Sequence, residues 1–170
     1  LYQVQQHGKH NYLRDLSRNI LRGQTKAAQE GKSNMSMPPI GYKIEREYSD
    51  SGKALSNQLV IDPTRAKIVR LIFAEYLKPS SSISAVARML TEKGIPATGN
   101  ATTKTTAWNT SSVKHILKNE KYAGHSVWGA KSTGRYHKRD KGEVKPKKKG
   151  EKTPGEKIIV RDTHEAIIDQ

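Results

Sequence analysis

Hydrophobic positions recur at helical spacing in four segments of this chain. The broadest apolar face lies within residues 62–79, a second lies within 82–96, and a short one lies within 111–118. A fourth segment, 11–30, has a narrow apolar stripe. Because side chains three and four positions apart share one face of a helix, each segment predicts an amphipathic helix.

Capping residues and helix breakers indicate where two of these helices begin and end. Asp62 is the predicted cap of the broad helix, Pro63 occupies its first turn and Pro79 ends it. Ser82 or Ser84 caps the next helix. These two helices supply most of the apolar side chains, and we expect them to form the core.

The helix predicted over 11–30 differs from the others in its charge pattern. It begins at a capping Asn11 and ends before Gly31. Its narrow stripe, which suits packing against a single partner helix, consists of Leu13, Leu16 and Ile20. Another face repeats a cation every four residues, at Arg14, Arg18, Arg22 and Lys26. We expect the last three cations to contact phosphate groups, although a solvated charged face explains the row equally well.

Other segments favour extended structure. Residues 32–39 contain two prolines and follow neither period, so they predict an extended linker. Residues 41–48 alternate weakly, turn at 50–52 and return through 59–61. This pattern is typical of a small β-hairpin.

A basic segment, 132–156, lies between two further strand-like runs, 125–131 and 157–162. Residues 131–157 contain eleven Lys or Arg and four Asp or Glu, a net charge of +7. With little to bury, the segment is expected to be a disordered, flexible hairpin tip. We expect its run Lys147, Lys148 and Lys149 to follow phosphates; an import-like patch or a solubilising run are the alternatives.

Composition narrows the class of partner. The 170 residues fit one domain with an appendage, and the net charge of +15 favours a polyanion, most commonly nucleic acid. No stretch is long enough to span a membrane, and a membrane surface is disfavoured. The absence of cysteine excludes disulfides and thiolate zinc sites and fits a cytoplasmic location. We expect the chain, which begins at Leu1, to be part of a longer protein.

The short helix at 111–118 carries the most specific signal. Val113, Ile116 and Leu117 form its apolar stripe, and the opposite face is polar and cationic. Small hydroxyls and lysines can reach base edges and phosphates in a major groove. With 82–96 as a supporting helix, the pair is typical of a helix-turn-helix. We predict an α+β fold with a helix-turn-helix-like core and a small β-hairpin sheet, preceded by a long single helix.

No residue pattern indicates catalysis. The serines lie neither in a Gly-x-Ser-x-Gly turn nor beside an arginine cluster that would activate a nucleophile. His7 and His10 have a metal-like spacing but no third ligand. We therefore predict no catalytic residue, no metal and no cofactor in this segment.

Several motifs, taken in order, resemble the recombinase domain of the large serine recombinases, also called serine integrases. They are PPIGY at 38–42, LVIDPTRAKIVRLIFAEYL at 59–77, AVARMLTEKGIP at 85–96, WNTSSVKHILKNEKYAGHSVWG at 108–129 and THEAII at 163–168. The resemblance implies that 12–29 continues a long helix from a catalytic domain, used for subunit contacts. It also implies that the nucleophilic serine domain and a cysteine-bearing zinc ribbon lie outside this chain.

The resemblance implies two sets of contacts with an attachment-site half. Expected major-groove contacts from the short helix are Asn109, Thr110, Ser111, Ser112, Lys114, His115 and Lys118. Expected minor-groove contacts from the linker are Lys32, Ser33, Asn34, Pro38, Gly41 and Tyr42. The domains follow as a connector helix at 1–30, a linker at 31–42 and a DNA-binding domain at 43–170.

The expected function is sequence-specific binding of double-stranded DNA within a bacterial or phage recombinase that inserts or excises a mobile element. Other recombinase subunits are the expected partners of the full-length protein. One alternative is a stand-alone DNA-binding accessory or regulatory protein, distinguished by the absence of an upstream resolvase-like domain. Another is a basic RNA-binding protein, disfavoured by the single Phe and by the lack of an aromatic strand for base stacking.

Overall fold

The computed structural model describes residues 2–32, 37–52, 54–97, 107–132, 134–151, 153 and 155–169. Ser33 and Asn34, two of the expected linker contacts, lie outside these residues, as does most of the loop predicted over 97–106. The elements in chain order are α1 (Tyr2–Gln29), β1 (Tyr42–Tyr48), β2 (Ala54–Ile61), α2 (Pro63–Tyr76), α3 (Ile83–Glu92), α4 (Thr110–Leu117), a 3₁₀ turn (Glu120–Ala123), β3 (Ser126–Trp128), β4 (His137–Asp140), β5 (Glu143–Pro146) and β6 (Ile158–Val160). The predicted α+β class is confirmed.

Contacts within the chain divide it into two compact units. Leu1–Asn34 and Ser126–Thr163 form the first, which we call the hairpin unit. Met35–His125 and His164–Gln170 form the second, which we call the helical unit. Each unit therefore combines two stretches that are distant in sequence.

The core of the helical unit is made by α2, α3 and α4, which contact one another. Their buried side chains are Ala66, Val69, Ile72, Val86, Ala87, Leu90, Val113 and Ile116. Trp108, just before α4, is also buried, and its Nε1–H donates to the Ile95 carbonyl at 2.9 Å. The three apolar faces predicted from spacing therefore meet in one core.

The predicted helix starts of α2 and α3 are confirmed. Asp62 Oδ1 accepts from the backbone N–H of Thr64 at 3.1 Å and of Arg65 at 3.3 Å. Ser82, rather than Ser84, caps α3, because its Oγ accepts from the Ala85 N–H at 3.2 Å. Such caps satisfy amide groups that have no partner within the helix.

Strands β1 and β2 form the predicted hairpin, with Tyr42 opposite Ile61 and Tyr48 opposite Ala54. The turn lies where the sequence indicated it, with the Gly52 N–H donating to the Ser49 carbonyl at 2.8 Å. The returning strand β2 begins at Ala54, earlier than the predicted 59–61. It pairs with β1 from Tyr42 to Tyr48.

Tyr42 at the start of β1 is buried, with 1% of its surface exposed. Its hydroxyl donates to the carbonyl oxygens of Glu165 at 2.9 Å and Lys121 at 3.2 Å. Its ring stacks on Tyr122 and meets the edge of His164. Burial raises the pKa of Tyr42 to about 12, so the hydroxyl remains a donor at neutral pH.

In the hairpin unit, α1 contacts the paired strands β3 and β6 and the paired strands β4 and β5. Helix α1 begins at Tyr2, earlier than Asn11, where the capping residue predicted its start. The residues before Asn11 lack the apolar period from which the rest of the helix was predicted. Thr25 and Ala28 are its buried side chains among those described. The stripe predicted to face a partner helix is exposed: Leu13 by 45%, Leu16 by 39% and Ile20 by 50%.

The basic segment 132–156 was expected to lack regular structure, and the structure instead gives it the β4–β5 hairpin. The strands pair from His137 opposite Pro146 to Asp140 opposite Glu143. The two residues between them, Lys141 and Gly142, have φ values of 51° and 81°. A turn with two positive φ values matches the right-handed twist of paired strands and closes a tight hairpin.

Gly41 is placed where a side chain does not fit. Its φ is 94°, and an added Cβ would lie 2.8 Å from Ile167 Cδ1 and 3.0 Å from Val69 Cγ2. Gly52 has a similar φ of 77°, but an added Cβ would meet nothing within 4 Å. The two glycines therefore separate backbone strain from crowding.

We expect Gly41→Ala to lower the free energy of unfolding by about 2 to 4 kcal/mol, because strain and core crowding add. Gly52→Ala should lower it by about 1 to 2 kcal/mol through strain alone. Urea denaturation of both variants measures the difference. Equal losses would contradict the close approach of Gly41 to the core.

Candidate nucleic-acid interface

The α4 surface is the exposed side of the short helix in the helical unit. Val113 and Ile116 are buried at 0% and 9% exposure, and Leu117 packs partly buried against the core. This orientation leaves the opposite side of the helix in solvent. The described exposed residues are Thr110, Ser111, Lys114, His115 and Lys118, and Ser112 is half-buried.

Asn109 serves first as the cap of α4. Its Oδ1 accepts from the Ser112 N–H at 2.7 Å, and its backbone is extended, as a capping residue requires. At the other end, Lys114 and His115 lie in the last turn, where cations are stabilised by the helix dipole. The same residue types that favour groove binding therefore also stabilise the helix.

The linker residues expected in a minor groove differ in exposure. Tyr42 and Gly41 are both buried in the helical unit. Pro38 is half-buried. Lys32 is exposed and forms an ion pair with Glu30 at 2.8 Å. Of the described residues that were expected in the minor groove, Lys32 and Pro38 are the two with accessible surface.

A basic cleft of about 440 Å³ in the hairpin unit lies between α1 and the chain around the β4–β5 hairpin. Arg14 of α1 lines it together with the predicted lysine run. Its titratable lining residues are His10, Arg14, Arg135, Tyr136, Lys147, Lys148, Lys149 and Glu151. Cations outnumber the single carboxylate, so the cleft has a surplus of positive charge.

The backbone of the lysine run is held by the Glu151 carboxylate and the Tyr136 carbonyl. Glu151 is paired with Lys138 and also accepts from the Lys148 backbone N–H at 3.0 Å. The Lys147 N–H donates to the Tyr136 carbonyl at 2.8 Å. Glu151 thus anchors the backbone of the run as a turn. Lys148 and Lys149 are exposed.

The ring of Tyr136 is surrounded by basic groups of the cleft. The Arg135 guanidinium lies 5.4 Å from its centroid, and the His10 ring meets it edge to face at 5.5 Å. A cation over an aromatic face is attracted by the ring quadrupole. These contacts join α1 to the segment before β4, and sequence reasoning did not include Tyr136.

The cation row of α1 is accessible. Arg14, Arg18, Arg22 and Lys26 are all exposed. Burial lowers the pKa of His137 in β4, and the charges of Arg18 and Arg14 lower it further. Two members of the row therefore act electrostatically on this histidine of β4, and Asp15 opposes them by raising its pKa.

The sequence contained two signals for an ordered basic segment that net charge concealed. The pair Lys141-Gly142 between two short runs is a hairpin turn signal. All four acidic residues pair within the segment: Asp140 with Lys145 at 3.1 Å, Glu143 with Lys145 at 3.8 Å, Glu151 with Lys138, and Glu156 with Arg139 at 3.3 Å. Summing the charges hid these pairings.

No cluster of three or more His, Cys, Asp or Glu side chains suited to a metal ion occurs among the described residues. Within the same residues, no helix is both long and apolar enough to cross a membrane.

A protein-family model described as Recombinase matches residues 63–170, more than half of the chain. The matched range begins at the first residue of α2 and runs through α4 and the β3–β6 region. It therefore includes both the α4 surface and the lysine run of the basic cleft.

We expect Asn109→Ala to lower the free energy of unfolding by about 1 kcal/mol, because the first turn of α4 loses its cap. Asn109→Asp keeps a capping oxygen and should cost only a few tenths of that. Thermal denaturation measures both, with exposed Ser111→Ala as a control expected within about 0.5 kcal/mol of the parent. If Asn109→Asp lost as much stability as Asn109→Ala, the capping role would be contradicted.

Proposed function

The chain belongs to the Recombinase family, and on that premise we propose that it binds double-stranded DNA at one half of an attachment site. In this proposal it acts within a site-specific serine recombinase that inserts or excises a mobile element. The observation that carries the proposal is the α4 surface, a cationic and hydroxyl-bearing helix face opposite an apolar stripe in which Val113 and Ile116 are buried. The net charge of +15 supports the same class of partner.

The α4 surface is suited to base reading in the major groove. A major groove admits one α-helix, and short hydroxyls, lysine and imidazole can meet the donors and acceptors of base edges there. Ser112, Lys114 and His115 are the residues that we assign to this contact. Because Val113 and Ile116 hold the helix in the core, the exposed face can contact DNA without any change of fold.

The basic cleft is assigned to the phosphate backbone. Arg14 and Lys147–Lys149 line one opening, and Arg18, Arg22 and Lys26 continue along α1. Contacts of this type raise affinity without regard to sequence, since every phosphate bears the same charge. The cleft therefore supplies affinity, and α4 supplies the choice of site.

The chemistry of strand cleavage is assigned to another part of the parent protein. This segment binds and positions DNA, and other recombinase subunits meet the full-length protein. The exposed residues Leu13, Leu16 and Ile20 support a subunit contact along α1, because they form one apolar stripe in solvent. The linker around Lys32 and Pro38 remains our proposed minor-groove contact.

We expect duplex binding to depend steeply on salt. With about six or more phosphates neutralised, affinity should fall on the order of a thousandfold between about 50 and 200 mM salt. Fluorescence anisotropy with a labelled duplex measures the slope, and competition with structured RNA tests the choice of nucleic acid. A flat salt response, or a preference for RNA, would contradict the proposal.

Substitutions on the two surfaces should have different effects. Lys114→Ala should cost about 1 to 3 kcal/mol on the cognate duplex, identified by footprinting, and far less on random DNA. Replacing Lys147, Lys148 and Lys149 together by Gln should weaken both duplexes about equally and lower the salt slope. Paired titrations of the two duplexes measure both effects.

Lys67→Gln is the matched control, because Lys67 is an exposed cation on α2, outside both surfaces. It should change neither specificity nor the salt slope by more than a single phosphate contact would. If Lys114→Ala weakened both duplexes equally while the triple variant altered specificity, the roles of the two surfaces would be reversed.

A further inference from the structure

A second cavity of the hairpin unit, which shares Gly134 with the lining of the basic cleft, lies between α1 and the strands β3 and β4. Its volume is about 350 Å³, and its walls include Ser17 of α1, Trp128 of β3, and His137 and Arg139 of β4. Water fills about 30 Å³ per molecule, so the space is large enough for a multi-atom ligand. We call it the Arg139 cavity.

Buried polar atoms around the Arg139 cavity have no partner among the described residues. The side chain of Arg139 is 12% exposed, and only its Nη2 has an ion pair there, with Glu156. Its Nε and Nη1 are buried without a hydrogen bond in the described part of the chain, as is Nδ1 of His137, a residue 3% exposed. A buried donor without an acceptor destabilises the fold, and more so when it is charged. The cavity therefore contains donors in need of an acceptor.

The charges around the cavity favour an anion. Lys131 lines its rim and Arg139 its interior, while Glu156 is the acidic group of the lining and is already paired. From α1, Arg14 and Arg18 face His137 with positive charge, and Asp15 opposes them. The balance of these groups is positive.

Gly129 allows β3 to lie close to the chain that precedes β6, and the two together form one wall of the cavity. An added Cβ at Gly129 would lie 2.6 Å from the Glu156 carbonyl oxygen. This approach holds the Glu156 segment against β3, on the side of the cavity that carries the Arg139–Glu156 pair. The site is therefore built by the backbone as well as by charged side chains.

We propose that the Arg139 cavity binds a phosphate group, with Arg139 and Lys131 as its cationic partners and Ser17 as a hydroxyl donor. Phosphate offers several strong acceptor oxygens, and arginine can donate to two of them at once. His137 as its Nδ1–H tautomer adds a neutral donor. The phosphate group belongs either to a free anion or to a nucleic-acid backbone, and the site does not require that the proposed DNA function be correct.

The test uses the full 170-residue chain and inorganic phosphate at constant ionic strength. Nitrogen–proton NMR resolves the indole groups of the two tryptophans. Trp128 lines the cavity, whereas Trp108 is buried in the core of the helical unit and is an internal control. We expect the Trp128 signal to move and saturate with phosphate while the Trp108 signal stays in place.

Arg139→Gln should weaken phosphate affinity by about tenfold or more, since a charged hydrogen-bonding group is lost. Arg135→Gln removes the same charge from the basic cleft and should change affinity by less than about twofold. Should Arg139→Gln fail to fold, Lys131→Gln replaces it, because Lys131 is exposed. We expect a loss of about threefold for Lys131→Gln.

The absence of a saturating Trp128 shift, equal movement of both indole signals, or equal losses in the Arg135 and Arg139 variants would overturn the proposal. Addition of a short duplex then identifies the source. If the duplex moves the Trp128 signal and phosphate competes with it, the ligand is a backbone phosphate; if phosphate still binds at saturating duplex, it is a free anion. A chain that binds DNA but leaves Trp128 insensitive to phosphate refutes this site alone.

Discussion

The Tyr42 hydroxyl joins three stretches of the helical unit that are far apart in sequence. It donates from the start of β1 to the carbonyl oxygens of Lys121, 79 positions away, and Glu165, 123 positions away. The Ile167 N–H donates to the Tyr122 carbonyl at 2.9 Å, so the final segment is held against the 3₁₀ turn as well. Because that turn directly follows α4, this contact fixes the end of α4 relative to the β1–β2 hairpin. The orientation of the α4 surface depends on it.

The hairpin unit is organised by charge rather than by a large core. Glu156 accepts from the Gly142 N–H with both carboxylate oxygens at 3.1 Å and pairs with Arg139, so one carboxylate secures both the turn and a strand. Glu151 likewise pairs with Lys138 of β4 and accepts from the Lys148 N–H of the lysine run. Isolated exposed ion pairs contribute little to stability, but pairs that also anchor backbone amides restrict the chain. A strongly basic segment can therefore present its cations from a defined surface.

Sequence reasoning succeeded where the physical cause is local. Asp62 before Pro63, Ser82 before an apolar period and Val113 with Ile116 on one stripe each depend on neighbours within a turn or two, and those features were predicted. Sequence reasoning did not anticipate the buried contacts of Tyr42, because a tyrosine in an extended motif gives no sign of acceptors that lie so far along the chain. Segment 132–156 was misread because net charge was averaged over pairs such as Lys145 and Asp140. The orphaned donors of Arg139 depend on tertiary packing and have no sequence signal.

The division into two interleaved units has a consequence for the order of folding during synthesis. Helix α1 is translated before its partners β3 to β6, and the stretch 35–125 of the helical unit is translated between them. The helical unit in turn needs Glu165 and Ile167, which follow β6 in the sequence, since Tyr42 and Gly41 meet them in the core. Contacts between sequence-distant residues are slow to form because a long loop must close first. The hairpin unit therefore cannot be completed before β6 has been translated, and the helical unit cannot be completed before Ile167 has been translated.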